Sequence, residues 1–171
     1  SVTGAEAVTT SDQSTKADVG SNAHITAGAI NMRSINQQAL DSKAEALNFG
    51  PAPGGGAAAR TEATGDALVT VGTGAQLTAG NIVLSAKNQF DKTYYQNLGQ
   101  ANLQSASASV LGVTALLSDT EVGTFDDKFE ARIDIASGAS ILTAGNNDAP
   151  GVLRLEAFTD VEALDKVGTG A

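Results

Sequence analysis

Ala75-Gln76-Leu77-Thr78-Ala79-Gly80-Asn81-Ile82-Val83-Leu84-Ser85-Ala86 is the stretch whose reading decides the fold, because it recurs. An earlier copy is Ala23-His24-Ile25-Thr26-Ala27-Gly28, continued by Ala29-Ile30-Asn31-Met32. A later one is Ile141-Leu142-Thr143-Ala144-Gly145, resumed after a six-residue insertion as Val152-Leu153-Arg154-Leu155-Glu156-Ala157. Apolar and polar residues alternate in each, the period-2 mark of a half-buried strand. Ile25, Leu77 and Leu142 are expected to point inward, with Thr26, Thr78 and Thr143 outward. Beyond the glycine, Ile82 and Leu84 face Val83 and Ser85, and Leu153 and Leu155 face Arg154 and Glu156.

Working outward, Ala17-Asp18-Val19-Gly20, Val69-Thr70-Val71-Gly72 and Ile133-Asp134-Ile135-Ala136 repeat a second alternation just upstream. Each runs into a corner, Gly20-Ser21-Asn22, Gly72-Thr73-Gly74 or Ala136-Ser137-Gly138, whose Gly and Asn accept sharp turns. Strand, corner, strand at matching positions predicts an all-β fold, a right-handed parallel β-helix (β-solenoid) with irregular loop insertions. Its inward ladder is Ile25, Leu77, Leu142, Ile82, Leu84, Leu153, Leu155, Val71 and Ile135. The copies lie near 17–35, 69–88 and 133–159, and Val167-Gly168-Thr169-Gly170-Ala171 reads as the start of another. Residues 1–171 thus form one segment, expected to be an excerpt of a longer array, with 1–18 closing a preceding unit.

The spacings, 52 residues from Thr26 to Thr78 and 65 from Thr78 to Thr143, exceed a coil of roughly 20–30 residues. Each unit is therefore expected to hold more than one coil, or a coil with an excursion. Ser105–Val110 alternates strictly and predicts a further strand, with Ala106, Ala108 and Val110 inward. Residues 37–47 and 110–117 are read as strand in preference to helix. The Pro and Gly of 48–56 exclude regular structure there, and 146–151 is a turn-rich loop.

Thirty alanines and 19 glycines, with aromatics at 4%, leave only a thin core of closely packed layers. A net charge of −9 argues against nucleic acid, which needs clustered Lys and Arg, and against an anionic membrane surface. No Cys means no disulfide and no thiolate chemistry, and no apolar run approaches the roughly 20 residues of a membrane span. This composition fits a secreted bacterial surface protein.

The pattern Val-Gly-x-Gly-Ala-x-Leu-Thr-Ala-Gly-Asn-Ile-x-Leu-x-Ala, in Val71–Ala86 and less completely in Val19–Met32 and Ile135–Ala157, resembles the repeats of large bacterial filamentous adhesins. These are the haemagglutinin-like and leukotoxin-like filamentous surface proteins with right-handed β-helical shafts. The resemblance covers under half of the chain directly. It implies an extracellular structural shaft, a filament or adhesin segment, whose partners are copies of itself or flanking repeats of the same chain.

His24 is replaced by Gln76 and Ile141 in its copies, so the position does not demand imidazole. Asp126 and Asp127, with Glu121 and Glu130, are candidate calcium ligands, although their spacing matches neither an EF-hand nor a calcium β-roll nonapeptide. Arg154 beside Glu156 and Arg132 beside Asp134 could line a glycan-cleaving groove, but such pairs more often decorate an outward strand face. Tyr94 and Tyr95 with Phe90 could form a platform for host or surface glycans, or a local cap. The threonine column forms one rank, whereas ice binding needs two. Gly54-Gly55-Gly56 lacks the Lys of a phosphate loop. No catalytic residue and no resident cofactor is expected.

Overall fold

The computed structural model describes residues 2–49, 54–108, 113–145 and 149–170. Within them the chain makes three passes over one itinerary. The first contains β1 (Val2–Asp12), β2 (Thr15–Val19), β3 (His24–Ala39) and β4 (Ala44–Phe49). In the second, β5 (Gly54–Val71) does the work of two strands and is followed by β6 (Gln76–Lys92), a helical turn α1 (Tyr94–Asn97) and β7 (Leu103–Ala108). The third holds β8 (Val113–Val122), β9 (Phe129–Ile135), β10 (Ser140–Thr143), β11 (Val152–Ala163) and β12 (Val167–Gly170).

All pairings are parallel and in step from pass to pass. β5 lies between β1 and β8 along its first half and between β2 and β9 along its second. β6 lies between β3 on one side and β10 and β11 on the other, and β7 between β4 and β12. The result is three parallel sheets with no closed barrel.

Register assigns the length of one pass directly. Thr26 pairs with Thr78 and Val19 with Val71, so 52 residues make a single complete pass and not several short coils. The pass is wide because its strands are long: β5 has 18 residues and β6 has 17. Residues 2–12 belong to this first pass, paired with Gly54–Thr64, and do not end an earlier unit. The glycine run 54–56 opens β5 instead of a loop. A Cβ on Gly56 would stand 2.6 Å from the Ala115 carbonyl oxygen, so small residues let these backbones approach. Val167–Gly170 pairs with Leu103–Ala106, so its likeness to Val71–Gly74 is compositional, not positional.

The ladder is buried where a pass has neighbours on both sides. Val71, Leu77, Ile82 and Leu84 are enclosed in the middle pass, together with Val69, Ala75, Ala79 and Ala86. Ile25, Ile135, Leu153 and Leu155 keep the inward register beside Leu77, Val71, Ile82 and Leu84, yet they stay exposed on the outer passes. Leu142 departs from the expected ladder altogether. Ile141, not Leu142, pairs with Leu77, and a one-residue slip moves a side chain to the other face. Ile141 packs against the core, while Leu142 is 57% exposed.

Of the predicted strand 37–47, residues 37–39 and 44–47 are strand but 40–43 are not; 105–108 and 113–117 are strand as expected, and 109–112 lie outside the described residues. The expected inward side chains of Ala106, Ala108 and Val110 lie outside the residues whose side chains are described, as do 146–148 of the predicted loop.

Candidate functional site

The inward face does not stay apolar along the strand. After Ile30 and Met32 the same face of β3 carries Ser34, Asn36 and Gln38, all buried. Each reaches across to the facing layer where β5 and its neighbours pass from one sheet to the next. Ser34 Oγ donates to the Thr15 carbonyl, Asn36 Nδ2 to that of Gln13 (2.6 Å) and Gln38 Nε2 to that of Thr64 (2.8 Å). In the middle pass Asn88, in register with Asn36, donates to the carbonyls of Gly65 (2.7 Å) and Glu130 (3.1 Å). In the third, the Thr159 hydroxyl accepts the amide of Ala131. A polar rung in every pass thus satisfies backbone groups that the change of sheet leaves free.

A second buried polar group ties passes together at the far end. Asn102 Nδ2 donates to the Asp41 carboxylate and the Ser42 carbonyl, while its Oδ1 accepts the amide of Lys166. Beside it Lys92 is 0% exposed, with Nζ 2.6 Å from Asp165 Oδ1 and 2.6 Å from Thr120 Oγ1. Burial pushes the Asp165 carboxyl up, but hydrogen bonding and the Lys92 charge outweigh it and hold the group below the usual range. Nothing in the alternation of aliphatics announces these residues. The recurrence of Asn at 36 and 88, in a run that continues period 2, is the signal that could have found them.

The outward face carries the surface chemistry. Gln37, Gln89 and Asp160 form one column across the passes, and Ala39, Asp91 and Glu162 the next. Between them lies a hollow of about 310 Å³; Gln38 and Phe90, which also border it, bury their side chains on the inward face, Phe90 against Phe129. A second hollow of about 400 Å³ shares Ala39 and Asp91 and is bordered by Asp41, Thr93, Tyr94, Tyr95 and Asn97. Gln37 Nε2 donates to Gln89 Oε1 at 2.6 Å, and the Thr93 hydroxyl donates to Asp91 Oδ1 at 2.6 Å. The Tyr94 and Tyr95 rings meet edge to face at 5.2 Å, with Lys43 Nζ 5.8 Å from the Tyr95 ring centre. These rings stand on an insertion: eleven residues separate Asp91 from Leu103, where four separate their partners Ala39 and Ala44.

The other sequence-derived candidates are dispersed. Arg132 lies on β9 between Glu130 and Asp134, and Arg154 lies on β11 beside Glu156, in the opposite layer. Among the described residues neither lines a hollow with Tyr94 and Tyr95, so the structure does not bring these four residues together there. Asp127 closes a turn, accepting from the Thr124 amide and donating its own amide to Thr124 Oγ1. Glu121 pairs with Arg60 and Glu130 with Arg132, so the carboxylates grouped with Asp126 and Asp127 are drawn elsewhere. Among the described residues no group of three or more acidic or His side chains could hold a metal ion. Also among them, no helix is long and apolar enough to cross a membrane. His24 is an exposed strand residue in register with Gln76 and Ser140, not Ile141.

Comparison with protein families, with characterised proteins and with solved structures finds no match to this chain.

Proposed function

We propose that the chain is a structural segment of a right-handed parallel β-helical shaft, part of an extracellular bacterial filament or adhesin. The observation that carries this reading is the in-register stacking of one itinerary of strands through three passes. The outermost passes continue the same ladder: Leu153 and Leu155 on one side, Ile25 on the other, present apolar groups in line with a buried core. Another pass laid on either end removes that surface from water at about 25 cal/mol per Å² and pairs a free strand edge. Stability then accumulates by nearest-neighbour terms, as in other stacked repeats.

Right-handedness is supported by the rule that crossovers between parallel strands of one sheet take that hand in about 98% of cases. The extracellular setting rests on the absence of Cys, the acidic surface and the resemblance of Val71–Ala86 to filamentous adhesin repeats. The partner is a further pass, from flanking repeats of the chain or from another copy. Electron microscopy at rising protein concentration, with far-UV circular dichroism, tests the reading. Filaments of uniform width with a β spectrum are expected. Dispersed particles at every concentration would exclude copies as the partner, and a strongly helical spectrum would overturn the fold.

A further inference from the structure

We propose that the third pass of one molecule receives the first pass of a second copy, with β3 of that copy laid along β11 so that its Arg33 stands beside Glu156 and its Ile35 beside Phe158. The inference rests on the shaft reading and deepens it by naming one occupant, the two edges that meet and their alignment.

The joints inside the molecule supply the geometry. β6 engages β3 along one edge and β11 along the other, parallel and residue for residue. Among the described residues the far edges of β3 and β11 pair with no strand. The free edge of β11 is the kind that β6 turns to β11, and the free edge of β3 is the kind that β6 turns to β3. Each therefore fits the other head to tail, as a heterologous contact. Joining two like ends would reverse the strand direction, against the parallel pairing of every joint within the molecule.

The inward faces exclude odd shifts. In the proposed register Leu153 meets Ile30 of the second copy, Leu155 its Met32 and Ile141 its Ile25. These continue columns whose middle members, Ile82, Leu84 and Leu77, are buried. A slip of one residue would turn the aliphatic rows away from each other.

The outward faces exclude even shifts. Arg33 has no carboxylate partner among the described residues, and its Nε donates to Asn31 Oδ1 at 3.1 Å. Glu156, already beside Arg154, occupies the matching place on β11. Ile35 is 48% and Phe158 53% exposed, and the joint sets one against the other. A two-residue slip one way puts Arg33 against Phe158 and Ile35 against Asp160. The same slip the other way puts Arg33 against Arg154 and Ile35 against Glu156. In the opposite layer Lys16 and Asp18 come beside Arg132 and Asp134, two charges of each sign, with each cation held by a carboxylate of its own pass.

The test is disulfide trapping, which a chain without Cys reports cleanly. Ile35→Cys and Phe158→Cys variants, one of them isotope-labelled, are mixed at rising concentration, oxidised gently, and the dimers identified by mass. Within one molecule positions 35 and 158 lie two strand spacings apart, about 9.6 Å, beyond the roughly 7 Å reach of a disulfide. A bond between them therefore joins two copies. The mixed dimer should exceed either like dimer at least about fivefold, and Asn31→Cys with Phe158→Cys should give under about a tenth of its yield. Arg33→Glu, added to Ile35→Cys, should raise the concentration for half-maximal linking about threefold or more, and Glu156→Arg in the other variant should recover most of that. The substituted side chains are exposed, so circular dichroism should report an intact fold throughout. Like dimers in excess, a 31–158 link as abundant as the 35–158 link, or no link at all would each overturn the proposal. Filaments without the 35–158 link would discard this register and leave the shaft reading standing, whereas a helical spectrum would remove both.

Discussion

Replacing Gly65 by alanine should cost about 2–6 kcal/mol, although it adds one methyl group. Gly65 sits in the middle of β5, where pairing passes from β1 and β8 to β2 and β9, with φ at +115°. An L side chain held there costs about 1–3 kcal/mol in backbone strain. A Cβ would also stand 1.9 Å from the Gln13 carbonyl oxygen, against the 3.4 Å of ordinary contact, so the first pass must move away. That movement breaks the bond from the Gln13 amide to the Thr64 carbonyl and the bond from Asn36 Nδ2 to the Gln13 carbonyl. Each is worth about 0.5–1.5 kcal/mol net. The control is Gly28→Ala, where a Cβ meets nothing within 4 Å and φ is ordinary. Urea denaturation followed by far-UV circular dichroism reads both. If Gly65→Ala falls within about 0.5 kcal/mol of Gly28→Ala, the change of sheet at Gly65 is wrongly described.

Leu77→Ala should lose about 2–5 kcal/mol, as expected for a buried leucine, whereas Leu155→Ala on the outer pass should lose under about 1 kcal/mol in the same assay. Lys92→Met should destabilise by about 1–2 kcal/mol at neutral pH, less than a fully buried pair because Asp165 keeps some solvent. Asp165 titrates below its unfolded value, so its contribution is present above the ordinary carboxylate range near pH 4 and is lost as pH falls through the lower folded value. The gap between wild type and Lys92→Met should therefore close on acidification below about pH 4, and a gap that widens there would refute the pairing. Calcium should leave the melting temperature of the protein unchanged, since Glu121 and Glu130 are held by arginines away from Asp126 and Asp127. A rise abolished by Asp126→Asn and Asp127→Asn would refute that.

The parallel ladder was legible in the sequence because aliphatic alternation and its recurrence at 52 residues are both local patterns. Val71, Leu77, Ile82 and Leu84 could be placed from them alone. The third copy slipped by one residue because Ile141 and Leu142 are adjacent and apolar, so either satisfies the alternation. Only the length of the corner at 136–139, matched to 72–75 by backbone pairing, distinguishes them. The size of a pass is hidden in the sequence for a related reason. Ser34, Asn36, Gln38 and Asn88 are buried but polar, so the strand seems to end where its apolar residues end. The hollows beside Tyr94 are half legible: the tyrosine pair stands out, but the carboxylate and amide neighbours are brought in by register across passes, which no single stretch displays.

The unequal insertions have a consequence for scale. Each pass takes 52 to 64 residues or more, yet advances by one strand spacing of about 4.8 Å. The extension is therefore under about 0.1 Å per residue, against about 1.5 Å for a helix. A thousand residues wound this way would reach only about 80–90 Å. Such a chain puts its length into girth, and girth resists bending. Corners can also lengthen, as at Tyr94, without altering the rise, so surface features can be added to the rod while its pitch stays constant.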